Sequence, residues 1–504
     1  MSVTSVAILG LEAQPITVEA GINFGQTSFY IVGLPDTAVK ESKERIIFAI
    51  KNSGLSFPRW HLTINLSPAD IKKQGTLHDL AMALAILEAQ KDIPSKSLAD
   101  GVFIGELGIH GEVRGVNGVL IAAIMAKEKG FKKIFVPRKN SDEALMIKDL
   151  EVFPVDNLKQ IIDHLCGDFP IFPAMAHEQT TLFNPTTIDF ADIRGQEHAK
   201  RGLEVAASGG HNLLMFGPPG SGKTLMARAL PSILPILTPE EALEVTKIFS
   251  IAGALQEGQG MFTHRPFRSP HHSCSAAALI GGGSWPRPGE VSLAHRGVLF
   301  LDEFPEFSRH VLENLRQPME DGVVTISRAL ASLRFPAKFM LVAAMNPCPC
   351  GYAGDPGRHC TCAFARIAAY KKKISGPLID RIDLTVSVPR VETNKLIETV
   401  AGEASSLVRV RVQTARDKQL ARFTGQQIIC NSEMTPKMVT EFCELDEAGK
   451  KLLNLAMERW QLSARAYTRI LKLSRTIADL ENEEKILPSH LAEALSYRGQ
   501  EEKV

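Results

Sequence analysis

Eight consecutive residues, GPPGSGKT from Gly217 to Thr224, fit the pattern G-x-x-x-x-G-K-[ST] in full. Gly217, Gly220 and Gly222 let a loop that also holds Pro218, Pro219 and Ser221 curl its backbone N–H groups around phosphates. A helix starting just after the loop adds a favourable dipole. Lys223 then reaches the β- and γ-phosphates of a nucleotide, and the Thr224 hydroxyl becomes a ligand for Mg²⁺. The flanks suit this reading: the apolar run LLMF precedes the loop and LMARAL follows it as a helix. ATP and Mg²⁺ are the cofactors expected. Phosphoryl transfer to water also needs carboxylates, and VLFLDE supplies Asp302 for the metal and Glu303 to orient or deprotonate the water. A further apolar run, MLVAAMN, ends in Asn346. Its amide could position the attacking water, although asparagines at strand ends are also common turn formers.

CPCGYAGDPGRHCTC places Cys348, Cys350, Cys360 and Cys362 within fifteen residues, half of the chain's eight cysteines. Two C-x-C pairs supply four thiolates for a tetrahedral Zn²⁺ with no open ligand position, which would make the metal structural. The pairs are tighter than the usual C-x-x-C. His359 could replace one thiolate, and free buried thiols or redox chemistry are the other readings. His271, His272 and Cys274 also lie close together, but one adjacent His pair makes a poor tetrahedral site, so they read as structural.

The elements that position these residues follow from the apolar pattern. At 504 residues the chain exceeds what one hydrophobic core can serve, so several domains are expected. Residues 1–165 read as an α/β unit and 166–188, mixed in Pro and polar residues, as a linker. In 189–390 continuously apolar strands alternate with helices, the pattern of a parallel sheet covered on both faces. Residues 391–504 read as helical, with Ala466, Ile470, Leu473, Ile477 and Leu480 recurring at helical spacing. The fold class expected is α/β multidomain. Lys and Arg total 57 against 56 Asp and Glu, so any contact with nucleic acid must come from locally placed cations, not from bulk charge. The sequence shows no long apolar run and no convincing secretory leader; the expectation is a cytoplasmic protein without membrane association.

Strand and phosphate loop, LFLDE, the strand-terminal Asn, SGPLIDRIDL and a helical tail together resemble AAA+ ATPases of the magnesium-chelatase-like branch. DFADIRGQEHAKRGLEVAASGGHNLLMFGPPGSGKT, PRPGEVSLAHRGVLFLDE and AMNPCPCGY are near-verbatim for its bacterial YifB/ComM subfamily, and the resemblance covers essentially the whole chain. It implies that Asn346 is the sensor-1 residue and that Arg381, in IDRID, is an arginine finger acting on a neighbouring subunit's γ-phosphate. That in turn implies a ring, most often a hexamer. It implies that Arg465, at the start of a helix that also carries Arg469 and Arg475, is the sensor-2 residue, with Arg469 four positions on close enough to be confused with it. Residues 1–165 resemble the Lon-type proteolytic domain (ribosomal S5 domain 2-like). Its Ser–Lys dyad positions are occupied here by Leu77 and Leu120, and Thr76 has no evident base, so no protease is expected. TISRALASLRF reads as two short strands around Ala-Leu-Ala, comparable to the pore hairpin of minichromosome-maintenance helicases. Arg328, Arg334 and Lys338 are its candidate DNA contacts, and 269–297 forms a second pore-facing insert. The function implied is a hexameric DNA translocase or helicase promoting branch migration of single-stranded, forked or branched DNA. Its setting would be natural transformation and homologous recombination, with recombination proteins as further partners. The alternative is an ATPase that remodels a protein partner.

Overall fold

Three unbroken apolar runs, LLMF, VLFL and MLVAAM, become strands buried along their whole length. Their surroundings are seen in a computed structural model that describes residues 2–175, 188–256, 258–283, 286–328, 331–355, 357–390 and 402–498. Two units are distinguished by contact. One comprises Met1–Leu182 with Ala242–Phe262 and Ala331–Arg334; the other comprises Phe183–Glu241, Thr263–Leu330 and Phe335–Val504. The segment 242–262 lies within the span expected for the ATPase core, yet it packs with the N-terminal unit. There the Ser250 hydroxyl donates to the Glu143 carboxylate and the Ser250 carbonyl accepts from Gly118 N–H at 3.1 Å.

The N-terminal unit is a seven-stranded mixed sheet. Its strands are β1 (Val3–Leu9), β2 (Glu12–Asn23), β3 (Ser28–Val32), β4 (His61–Ser67), β5 (Gly101–Phe103), β6 (Lys133–Pro137) and β7 (Glu151–Val155), in the order β3-β4-β2-β1-β5-β6-β7. β2 runs antiparallel to β1 and β4, and the remaining pairs are parallel. Helix α1 (Asp79–Gln90) is buried from Asp79 through Leu87, as its apolar character on every side requires. Helix α2 (Val119–Glu128) is likewise almost wholly buried. The chain stays on this unit beyond the expected start of the linker at 166. Ile171 is buried and Ala174 N–H donates to the Val152 carbonyl at 2.8 Å.

The second unit is built on β8 (Leu213–Phe216), β9 (Phe267–Arg268), β10 (Val298–Leu301), β13 (Met340–Met345) and β14 (Leu384–Ser387); of the hairpin of β11 (Val323–Arg328) and β12 (Ala331–Pro336), expected within the ATPase core, the stretch Ala331–Arg334 falls in the N-terminal unit. The five strands run in the order β9-β10-β13-β8-β14, and every pairing is parallel. Helices α3 (Glu197–Gly209) and α4 (Lys223–Ala229) flank β8 in the chain. The C-terminal helices α5 (Ser405–Arg422), α6 (Ala464–Leu480) and α7 (Pro488–Arg498) share one apolar core with the sheet. Val408, Val412, Ile470, Leu473, Ile477 and Tyr497 join Leu384, Val386 and Val388 in it. Among the described residues no helix is long and apolar enough to cross a membrane.

Candidate nucleotide-binding site

β8 hands the chain to the phosphate loop at Gly217. A Cβ on Gly217 would stand 2.0 Å from the Val388 carbonyl oxygen, so only glycine fits there. Gly222, at φ +94°, turns the loop into α4 in the left-handed region that favours glycine. The Lys223 ammonium points back into the loop it follows, 2.8 Å from the carbonyl oxygens of both Gly217 and Pro218. It also lies 3.3 Å from Asn346 Oδ1. β8 and β13 are sheet neighbours, which is how a residue 123 positions away comes to hold the lysine. Burial pushes the Lys223 pKa down to about 8, with Asp302 opposing the shift.

The Thr224 hydroxyl donates to Asp302 Oδ2 at 2.7 Å, so the two expected Mg²⁺ ligands are already side by side. Oxygen donors of this kind suit a hard divalent cation. The other Asp302 oxygen accepts from Glu303 N–H at 2.9 Å. Glu303 itself sits at φ +52°, in the left-handed region that few non-glycine residues adopt. Its Oε2 is 3.3 Å from His272 Nδ1, a contact that the reading of His272 as structural missed. No spacing rule could have found it, because the pair is 31 residues apart in sequence. Asn346 is tied down from behind: its backbone N–H bonds the Tyr370 hydroxyl, which burial pushes up to about 12.

Arg381 and Arg465 lie together, at the opposite end of the sheet from the loop. Arg381 precedes β14, where Asp383 Oδ2 accepts from Asn212 N–H at 2.9 Å, just before β8 begins. The phosphate loop starts at the other end of β8, about 13 Å away for four strand residues. Arg381 is 7% exposed; it donates to the Pro377 carbonyl at 2.6 Å and pairs with Glu320 Oε2. Arg465, at the start of α6, reaches the other oxygen of the same carboxylate at 3.4 Å. Arg469 is bound elsewhere, to Asp383 at 3.5 Å, which separates it from Arg465. A cleft of about 330 Å³ beside these groups is lined by Glu320, Arg381, Arg465, Arg469 and Lys472.

Cys348, Cys350, Cys360 and Cys362 converge, with all four sulfurs within 4.8 Å of one another. Three of the separations are 3.3, 3.7 and 3.6 Å. Four sulfurs about 2.3 Å from a tetrahedral zinc would be about 3.8 Å apart, so the set fits the metal. His359 is not part of the group. The Tyr352 N–H, with Cys348, pushes Cys350 down to about 6. Cys360 rises to about 11, because desolvation and the neighbouring sulfurs outweigh the backbone bond from Cys362. Four thiolates this close do not ionise together without a cation between them.

The remaining candidates fall outside the nucleotide site. Leu120 is fully buried on α2, and Leu77 packs against a cluster that includes Val6, Val102 and Val119, so both dyad positions are filled with hydrocarbon. The Thr76 hydroxyl donates to the Glu106 carboxylate. Arg334 is exposed on β12. The Arg328 side chain and the hairpin turn at 329–330 lie outside the described residues. Lys338, expected with them as a DNA contact, lies past the hairpin and is committed elsewhere, 2.9 Å from Glu433 Oε2 and 3.2 Å from the Gln427 carbonyl.

Three family descriptions match successive parts of the chain. They are subunit ChlI of Mg-chelatase over residues 18–140, magnesium chelatase subunit ChlI over 189–396, and the ChlI C-terminal part over 402–498. The competence protein ComM of Haemophilus influenzae is 42% identical over 501 residues, 99% of this chain and 97% of that protein. YifB of Escherichia coli is 42% identical over 98% of this chain and 96% of its own length. A magnesium-chelatase 38 kDa subunit from Cereibacter sphaeroides is 26% identical over 61% of this chain and 91% of its own.

Proposed function

This chain belongs to the magnesium-chelatase ChlI family, in the branch that holds ComM and YifB, and on that premise we propose that it is a ring ATPase that moves along DNA. The observation that carries the ATPase reading is the bonded set Lys223–Asn346 and Thr224–Asp302 around one glycine loop. Lys223 binds the β- and γ-phosphates, and Asn346 both holds Lys223 and orients the attacking water. Glu303 takes the proton from that water, and His272 fixes the carboxylate that does so. Mg²⁺, held by Thr224 and Asp302, would supply charge neutralisation between the phosphates. Arg381 and Arg465, placed at the far end of the sheet, act on the nucleotide of the next subunit in a hexamer.

The DNA part of the reading rests on the near full-length likeness to a competence protein and on the β11–β12 hairpin. Arg328 and Arg334 would contact the phosphates of a strand threaded through the ring. The work expected is branch migration as an incoming single strand is integrated, in the cytoplasm and alongside recombination proteins. The N-terminal unit, with Leu77 and Leu120 in place of a dyad, serves assembly rather than peptide cleavage.

A second reading, remodelling of a protein partner, draws on the likeness to the 38 kDa chelatase subunit. Hydrolysis measured with and without four-way or forked DNA separates the two. Stimulation together with strand exchange at the junction supports translocation. Hydrolysis indifferent to branched DNA selects the second reading.

A further inference from the structure

The cysteine cluster and the phosphate loop touch the same residues from two sides. Cys348 follows Asn346 by two positions, and Asn346 Oδ1 bonds the Lys223 ammonium at 3.3 Å. Next to Cys350, Gly351 sits at φ +86° in a turn closed by its N–H to the Cys348 carbonyl at 2.9 Å. Its Cα lies against the phosphate loop: a Cβ there would stand 2.6 Å from Pro219 Cδ and 3.0 Å from Pro219 Cγ. The turn Cys348–Gly351 therefore bears on Asn346 through the chain and on Pro219 by direct contact. Among the described residues no helix or strand lies between Asn346 and Ala363, so this stretch is held by isolated turns and by its side chains. The four sulfurs are the groups that meet there.

We propose that the tetrathiolate cluster binds a zinc ion that buttresses the phosphate loop, so that metal occupancy sets nucleotide affinity. Zinc follows from four sulfur donors in a closed tetrahedron, which favours a soft, geometrically undemanding divalent cation. The ion cancels the repulsion among the thiolates and pins the turn. The turn then fixes Pro219 and the Asn346 amide at the spacing that phosphates require. Without it, the loop keeps its sequence but loses the wall behind Pro219. This inference rests on reading 217–224 as the nucleotide loop, and the experiment separates the two.

The full-length protein, purified with a thiol reductant, is assayed for metal by mass spectrometry and for binding of a fluorescent ADP analogue. About one zinc per chain is expected. Stripping it with a high-affinity zinc chelator should weaken nucleotide binding about tenfold, the cost of a small displacement in such a site. Adding zinc back should restore it. Gly351→Ala keeps every sulfur and should keep its zinc, yet bind the nucleotide about tenfold more weakly because its methyl both strains the turn at φ +86° and meets Pro219. Cys360→Ser with Cys362→Ser should lose the metal and show the same weakening. Absence of zinc from the metal-replete wild type overturns the site. Zinc-free protein, or Gly351→Ala, binding nucleotide as the wild type does overturns the buttress. A wild type that holds zinc and binds no nucleotide overturns the reading of the loop instead.

Discussion

Lys223 has to carry a positive charge where the surroundings disfavour one. Burial draws its pKa down to about 8, so in the free protein it begins to lose its proton just above neutrality. Bound phosphates favour the ammonium and raise that value, so nucleotide binding takes up a proton at pH above about 8. Affinity should therefore be flat below pH 8 and fall above it, by up to about tenfold per pH unit, as titrations of a fluorescent nucleotide from pH 7 to 10 would show. Stability without nucleotide has the opposite slope. The folded pKa lies below the unfolded value of 10.5, so the unfolded chain binds more protons between the two. Lys223 therefore makes unfolding harder as pH rises through that window. The carboxylates divide differently. Glu303→Gln would remove the proposed base but leave the loop, Thr224 and Asp302, so hydrolysis should drop about 10²- to 10⁴-fold while the nucleotide stays bound. Single-turnover hydrolysis beside equilibrium binding measures both.

Helix α6 shows how much of an element its apolar pattern reveals. Of the five residues expected at core spacing, Ala466, Ile470, Leu473 and Ile477 are buried and Leu480 is half-buried against the same core. Yet Ser474, Arg475, Thr476 and Asp479, on the turns between them, are buried as well. Asp479 accepts from Arg422 at 2.5 and 2.9 Å, from Asn431 at 2.8 Å and from Arg475 at 3.2 Å. Removing one member of such a set leaves charges buried and unpaired. Asp479→Ala should therefore cost about 3–5 kcal/mol, read as a lower denaturant midpoint, with the helical region failing first. The contrast explains what was legible beforehand. GPPGSGKT could be read because its chemistry lies in adjacent residues. The strands could be read because a doubly covered sheet demands unbroken apolar runs. The Lys223–Asn346, Glu303–His272 and Glu320–Arg381–Arg465 pairings join residues 31 to 145 positions apart, and topology alone brings them together. Nor did composition reveal that 242–262 packs with the N-terminal unit, because that segment carries the same residue types as the core around it.

At the scale of the whole molecule, the role proposed for Arg381 would build each active site from two chains. Its neighbour Asp383 is bonded to Asn212, before β8 begins, whereas the phosphate loop follows the end of β8. The length of the strand separates them by about 13 Å, more than a guanidinium can span from a backbone held by its own hydrogen bonds. Glu320 gathers Arg381 and Arg465 toward one point on that face, so both would meet the same neighbouring nucleotide. Such a contact would join two different faces of identical chains, which gives the proposed ring where the repeated rotation closes. Lys223→Ala disables the loop but leaves the arginine face whole, and Arg381→Ala does the reverse, so each alone should be inactive. Mixed in equal parts, they should regain activity. A working interface needs an intact loop from one variant and an intact arginine from the next, so about a quarter of interfaces should work if subunits assort at random. Hydrolysis rate against mixing ratio should rise to a maximum at equal parts and vanish at either pure variant. Should the arginine serve its own subunit's nucleotide, no ratio recovers any rate, because every chain then carries a lesion in its only site.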